Sequence, residues 1–264
     1  MWHNLGQLVR YRGLIQSLVA RDLKARYRGS VLGFFWSFVN PLLLLLIYSF
    51  VFTYLLQNRS KDIQPYAVFM FTGLLPWTWF SSSLNEATGS LISGGNLIKK
   101  VLFPAEVLPI VSILSNMVHF LFGLPILIGF LAWYRIIPDW PQLPWFFVIV
   151  AIQLLFTAGL SLILSALAVH FRDVRDLVQN LLTFWFFATP IIYWYGEEQF
   201  KQYKLYFDIN PFSHLAISYQ EILFFQGGFG HWKWLLALGG ASVVLFLAAY
   251  WLFDRLRDSF AEAV

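Results

Sequence analysis

About six long apolar runs fill most of this sequence, and no charged side chain sits near the centre of any of them. The run from Gly33 to Leu56 reads GFFWSFVNPLLLLLIYSFVFTYLL, without a single acid or cation. A helix needs about 20 apolar residues to cross the hydrocarbon core of a bilayer. A charge held at that depth costs roughly 3 kcal/mol or more and is usually kept only for function. Backbone N–H and C=O groups in lipid must be satisfied within the protein, which helices do on their own. The expected fold is therefore an all-α polytopic membrane protein.

The spans read as Gly33 to Leu56, Tyr66 to Leu84 with an extension to Ile92, Val107 to Trp133, Trp145 to Val169, Leu177 to Tyr195, and Trp234 to Phe253. Pro109 and Pro125 mark bends in the third, and Thr189-Pro190 interrupts the fifth. Only 12% of the 264 residues are charged, where a soluble domain carries about 25%. Nothing is long enough for a second, soluble domain. The expected organisation is an interface segment over 1–30 and a transmembrane domain over 31–264. The opening MWHNLGQLVRYRG lacks the compact apolar region and small-residue site of a cleavable signal peptide.

Before the first span, Leu5, Leu8, Ile15, Leu18, Val19, Leu23 and Tyr27 recur at helical spacing. Arg10, Arg12, Gln16, Arg21, Lys24 and Arg28 mostly take the opposite side. A basic amphipathic helix lying in the membrane interface is expected. With the N-terminus in the cytoplasm, this segment, Lys99, Lys100, Arg172, Arg175, Arg255 and Arg257 fall inside, and Arg59, Lys61, Arg135, Lys201, Lys204 and Lys233 outside. That is about twice as many cations inside as outside, as the positive-inside rule requires. An even number of spans then leaves both termini cytoplasmic.

Two connections are unusual. Between spans two and three, Gly94-Gly95 breaks the chain, Asn96 can cap a short helix through Phe103, and Pro104 stops it. Between spans five and six, Asn210-Pro211 opens the run PFSHLAISYQEILFF, which Gly227-Gly228 ends. About 15 helical residues cover only about 22 Å, too little for a crossing. A re-entrant or interfacial helix fits, and at membrane depth it must be covered by protein or line a wet cavity.

Much chemistry is excluded. There is no cysteine, hence no disulfide, thiolate metal site or cysteine nucleophile. No GxxxxGK[ST], HExxH or Gly-x-Ser-x-Gly occurs. His119 is the one ionisable group well inside a proposed span, and Glu86, Glu106 and Glu221 lie at span ends or in the outer loop. With no carboxylate relay and no phosphate-binding loop, an active transporter built from this chain must take its energy from another subunit.

RDLKARYRGSVLGFFWSFVNPL (Arg21 to Leu42) resembles the opening segment of ABC-2 type polysaccharide export permeases. NLIKKVLFPAEVLP (Asn96 to Pro109) resembles their first cytoplasmic coupling segment, and HFRDVRDLV (His170 to Val178) their second cytoplasmic turn. TPIIYW (Thr189 to Trp194) and NPFSHLAISYQEILF (Asn210 to Phe224) resemble the end of span five and the outer re-entrant region. The pieces run in order along nearly the whole chain, most like the O-antigen and teichoic-acid exporters of the Wzm/TagG type. The resemblance implies six transmembrane helices per subunit and a homodimer. It also implies two copies of a separate ATPase that holds ATP and Mg, a polyprenyl-diphosphate-linked glycan as substrate, and the bacterial inner membrane as location. No cofactor in the chain itself, no catalytic or metal residue and no nucleic-acid partner are expected.

On that reading Asn96, Lys99, Lys100, Phe103 and Glu106 would contact the ATPase, braced by Arg172, Asp173, Arg175 and Asp176. Arg21, Lys24, Arg26 and Arg28 would meet the anionic diphosphate, which arginine can grip bidentately. A hydrated sugar chain cannot pass bare hydrocarbon without losing hydrogen bonds, whereas aromatic rings stack on sugar faces and Tyr and Trp add a polar handle. The chain is 20% aromatic. The rings expected along a channel are Tyr48, Phe52, Trp77, Trp79, Phe80, Phe184, Trp185, Tyr193 and Trp194. Two rival functions share parts of this pattern. An ABC-2 exporter of a small drug or lipid would have the same fold and partner. A membrane enzyme acting on polyprenyl-phosphate sugars would need loop carboxylates. The close acidic pairs, Asp173/Asp176, Glu197/Glu198 and Asp254/Asp258, do not resemble a sugar-nucleotide metal site. A passive structural protein fits the coupling-like loops poorly.

Overall fold

The computed structural model describes residues 10–51, 63–100, 104–171 and 173–263, and among these every regular element is helical. Leu5, Leu8, Phe52, Phe103 and Arg172 lie outside the described residues, as does the side chain of Lys100. The helices are α1 (Arg12–Arg26), α2 (Trp36–Phe50), α3 (Tyr66–Ser93), α4 (Gly95–Lys100), α5 (Val107–Trp133), α6 (Leu143–His170), α7 (Val174–Ala188), α8 (Lys204–Ile209), α9 (Pro211–Leu223) and α10 (Trp232–Ala263). Among the described residues, three helical stretches are long and apolar enough to cross a membrane: Val107–Trp133, Trp140–His170 and Trp232–Arg257. Trp36–Phe50 is a shorter apolar helix.

The expected third span matches α5 at both ends, and the fourth and sixth lie within α6 and α10. Span five differs. Expected over Leu177 to Tyr195, it starts earlier and stops at Ala188, because Pro190 cannot donate to the helical ladder and disfavours helical geometry before it. The short helix before Pro104 also differs: Leu97 and Ile98 donate to the Gly94 carbonyl at 2.8 and 3.2 Å, so α4 starts at Gly95 and Asn96 sits inside its first turn rather than capping it.

At the centre stands α3, packed against α5 and α6 and touched by α2, α7 and α9. Most of its 28 residues are buried. Surrounded by protein rather than lipid, it can carry polar side chains provided they are satisfied. The hydroxyls of Thr72, Ser83, Thr88 and Ser90 donate to carbonyls three or four residues back at 2.6–2.7 Å. Buried Gln153 on α6 donates to the Pro76 carbonyl at 2.8 Å, beside the proline within α3. Leu18 of α1 is buried among Val107 and Val111 of α5, with Leu14, Ile15 and Val19 around it. The apolar face of the interface helix therefore rests on protein.

Outer α9 is almost wholly buried from Phe212 to Gln220. It is a covered helix, as its length and position require. Its start is tied to the end of α7 by one side chain. Asn210 Oδ1 accepts from the Phe212 amide at 3.1 Å and from Trp185 Nε1 at 2.6 Å, while Nδ2 donates to the Ala188 carbonyl at 3.1 Å and Thr189 Oγ1 at 3.0 Å. Gln220 Nε2 donates to the Pro190 carbonyl at 2.7 Å. The break in α7 thus keeps its polar groups paired.

The last helix is held by close approach to α6. A Cβ at Gly159 would lie 3.0 Å from Leu245 Cγ and 3.2 Å from the Phe246 backbone nitrogen, and one at Gly239 3.0 Å from Ile152 Cδ1. Small residues let helices in a membrane pack backbone to backbone. We expect Gly159→Leu to destabilise the protein by about 1–3 kcal/mol through overpacking, read from denaturant unfolding in detergent. Gly240→Ala, at a site with nothing within 4 Å, should cost nothing. Equal stability of the two variants would mean that α6 and α10 do not meet at Gly159.

Candidate functional site

Arg26, at the end of α1, is turned into the protein. Its Nη1 donates to Glu86 Oε1 at 2.8 Å and to Asn116 Oδ1 at 3.3 Å, Nη2 reaches Glu86 Oε2, and Nε donates to Asp22 Oδ2 at 3.0 Å. Asn116 Nδ2 completes the set at 2.7 Å from Glu86 Oε2. Burial disfavours the guanidinium charge, but the hydrogen bond and field of Glu86, with Asp22, outweigh it and raise the Arg26 pKa. Arg26, Glu86 and Asn116 help line a cavity of about 310 Å³ between α1, α2, α3 and α5, together with Leu44, Phe71, Leu74 and Leu75. Of the four cations expected to meet a diphosphate, Arg21, Lys24 and Arg28 are exposed. Arg26 is already gripped bidentately by Glu86 and pins the interface helix to α3 and α5.

On α4, Leu97 and Ile98 pack into a cluster with Leu91, Leu108, Tyr250 and Phe253, which turns Asn96 and Lys99 outward. Glu106, expected at the partner surface, is buried at the foot of α5 and only 2% exposed. Its environment makes it part of the seat of α4 rather than an exposed contact. Asp173, Arg175 and Asp176 are exposed at the start of α7, with Asp176 in the first turn, where the helix dipole favours an acid. The two segments share a support: α4 touches α3 and α10, and α7 touches α3 and α6.

The expected channel rings divide. Trp77, Trp79 and Phe80 are buried within the helical core. Trp79 stacks on Phe120 at 5.1 Å and donates from Nε1 to the Ile113 carbonyl. Phe80 stacks on Phe156 at 5.7 Å and meets Trp185 edge-on, and Trp77 meets Phe212 edge-on at 4.8 Å. These rings, with Trp185, weld α3, α6, α7 and α9 together within the subunit, so Trp77, Trp79 and Phe80 are packed against protein. Tyr193 stacks on Phe200 at 4.7 Å, Trp194 lies beside Phe225, and Tyr48 is half-buried. Phe184 stands 74% exposed on α7.

That helix shows a feature the ring count missed. One face is buried, through Val178 and Leu182. Opposite it, Asp176, Gln179, Asn180 and Thr183 are all exposed and follow helical spacing i, i+3, i+4, i+7. Beside that stripe lies an apolar one, Leu177, Leu181 and Phe184, also exposed. Carboxamides on an otherwise apolar helix favour a partner or water over lipid. The spacing was visible in the sequence once read within the fifth run.

Between α9 and the start of α10, His214 Nε2 lies 3.0 Å from the Asp208 carbonyl and His214 Nδ1 2.9 Å from His231 Nε2. A carbonyl only accepts, so His214 carries its proton on Nε2, and His231 Nε2–H must donate to the bare Nδ1. Burial and the neighbouring His214 push His231 down to about 4, and burial also lowers His214. The groups facing the pair are Glu221, which accepts from the Gly230 and His231 amides at 3.0 Å each, and Tyr195 and Asp208. A histidine whose folded pKa lies below its unfolded value contributes fully above about 6.5 and loses that contribution as pH falls toward 4. We expect hydrogen exchange over 211–234, corrected for intrinsic rates, to accelerate through that window and His231→Gln to flatten the profile. A flat profile in the unaltered protein would refute a neutral His231.

Comparisons with known proteins establish the family. The family model of the ABC-2 type transporter matches residues 13–224. An O-antigen export system permease protein of Myxococcus xanthus is 42% identical over 98% of both chains. A second, from Klebsiella pneumoniae, is 34% identical over 99% of this chain and 98% of its own. A polysialic acid transport protein of Escherichia coli is 24% identical over 76% of this chain and 78% of its own. From the interface helix through the covered outer helix, this chain belongs to the ABC-2 type transporter family.

Proposed function

We propose that the protein is the membrane subunit of an ATP-driven exporter that carries a lipid-linked polysaccharide of the O-antigen kind from the cytoplasmic side across the bacterial inner membrane. The full-length likeness to O-antigen export permeases supports the substrate class. In the structure, the observation that carries the reading is the outward polar stripe on α7. In this reading α2, α3 and α7 join the three long apolar helices to make six spans. Residues 1–30 lie at the cytoplasmic interface, 31–264 form the transmembrane domain, and both termini are cytoplasmic. Two copies face one another, and Asp176, Gln179, Asn180 and Thr183 border the wet path between them.

The sugar chain then exchanges water for carboxamides and hydroxyls instead of losing its hydrogen bonds to hydrocarbon. Exposed Arg21, Lys24 and Arg28 offer charge to the diphosphate at the interface. Two ATPase copies, with ATP and Mg, dock on Asn96 and Lys99 and on the start of α7. Because α3 supports both segments, closure of the ATPases moves them against a common core. Only contacts that differ between the two states can transmit that free energy. The chain itself is a transport subunit with no catalytic role. Export of a small drug or lipid would leave the polar stripe without a function.

The native absence of cysteine makes accessibility a direct test. We expect Asn180→Cys to react with a membrane-impermeant thiol reagent at least tenfold faster than Leu181→Cys, one position round the helix. Equal rates would remove the wet face. For coupling, we expect Lys99→Glu with Lys100→Glu to leave the protein in the membrane but to reduce ATP-dependent glycan export at least tenfold. Undiminished export with normal ATPase stimulation would take α4 out of the interface.

A further inference from the structure

Beyond the transport path lies a second cavity, of about 670 Å³, on the outer side, between the segment after α7, α8, the face of α9 from His214 to Glu221 and the start of α10. This is within the range of cavities that hold small organic ligands, about 300–1,000 Å³. None of the residues singled out for transport or coupling lines it.

Its chemistry is specific. Glu221 Oε2 is saturated by two backbone amides, but Oε1 has only a long contact to the Tyr195 hydroxyl, 3.4 Å. The carboxylate is thus fixed in place with acceptor capacity to spare. The tautomer forced on the histidine pair leaves His231 Nδ1 a bare acceptor, with no partner among the described residues. Trp234 packs one ring face on His214 at 4.9 Å and 8°, yet remains 45% exposed. The cavity also holds Lys201, Lys204 and Asp208. Lys201 is paired with Glu198 at 2.6 Å, so the lining charges offset one another.

An anchored carboxylate, a fixed ring acceptor and an indole edge, in a cavity with no excess charge, suit a ligand with several hydroxyls and an apolar face. A phosphate headgroup would meet Glu221 and Asp208 without a surplus of cations to hold it. We infer that this outer cavity is a binding subsite for a neutral pyranose unit of the exported glycan, hydrogen-bonded to Glu221 and His231 and seated against Trp234. This rests on the polysaccharide-export reading above and adds to it a contact on the exit side. Because His214 and His231 join α9 to the start of α10, occupation of the cavity would also brace the covered helix against the last span.

The test uses the full-length chain in lipid nanodiscs and saturation-transfer NMR. The probes are the methyl pyranosides of glucose, mannose, galactose and N-acetylglucosamine, with glycerol 3-phosphate as the headgroup probe. We expect at least one pyranoside to bind, with affinity reduced at least tenfold in both Glu221→Gln and Trp234→Leu, and glycerol 3-phosphate not to compete. Thermal melting of each variant shows whether it is folded, and His231→Gln replaces any that is not. No pyranoside binding to the unaltered protein, binding undiminished in the folded variants, or displacement by glycerol 3-phosphate would each overturn the subsite. Export by the unaltered chain with its ATPase is measured in parallel. Export without pyranoside binding refutes this cavity alone, whereas no glycan export refutes the parent reading.

Discussion

Backbone amides and carbonyls inside a membrane have no water to turn to, and this obligation governs where the chain can break its helices. Where helices end or carry a proline, side-chain amides supply some of the partners. Buried Gln153 donates to the Pro76 carbonyl within α3. Gln220 answers the Pro190 carbonyl beyond α7. Asn210 does more, closing the end of α7 with one atom and opening α9 with the other. The irregular outer segment is thereby made compatible with its depth, and α9 can be buried without crossing.

The same obligation explains the aromatic excess. A central helix sheathed by α5, α6, α7 and α9 needs large, well-fitted side chains to fill the space between cylinders, and paired rings do this with favourable edge and stacking geometry. Trp77, Trp79, Phe80 and Trp185 serve that purpose. The exposed polar side chains gather instead on one face of α7. A surface built of Gln, Asn and Thr offers both donors and acceptors, which is why the proposed transport path is drawn along it.

Electrostatics is arranged by depth. Among the cations of α1, Arg26 is the one that a pair of carboxylates and an asparagine hold against α3 and α5. Glu106 goes the other way, from an expected surface contact to a buried one. Around the histidine pair, opposite charges are interleaved, so that region has little excess charge while being rich in oriented donors and acceptors.

Hydropathy and loop composition alone determined the helical class, the limits of α5, the helix start at Asn210-Pro211 and the interruption at Pro190. They did so because each is a local consequence of chain chemistry: apolar length, a side-chain oxygen before a proline, or a missing amide. The family likeness was equally legible, since it resides in ordered segments. Only the tertiary structure decided which side of each helix meets protein. Trp79 and Phe184 are both rings in apolar runs, and sequence gives them the same standing; packing buries the first and exposes the second. Arg26 and Arg28 sit two residues apart in one basic stretch, yet one is consumed by Glu86 and the other is exposed. Such distinctions depend on contacts between residues far apart in the chain, such as Arg26 with Glu86 and Trp79 with Phe120, and those exist only once the helices have assembled.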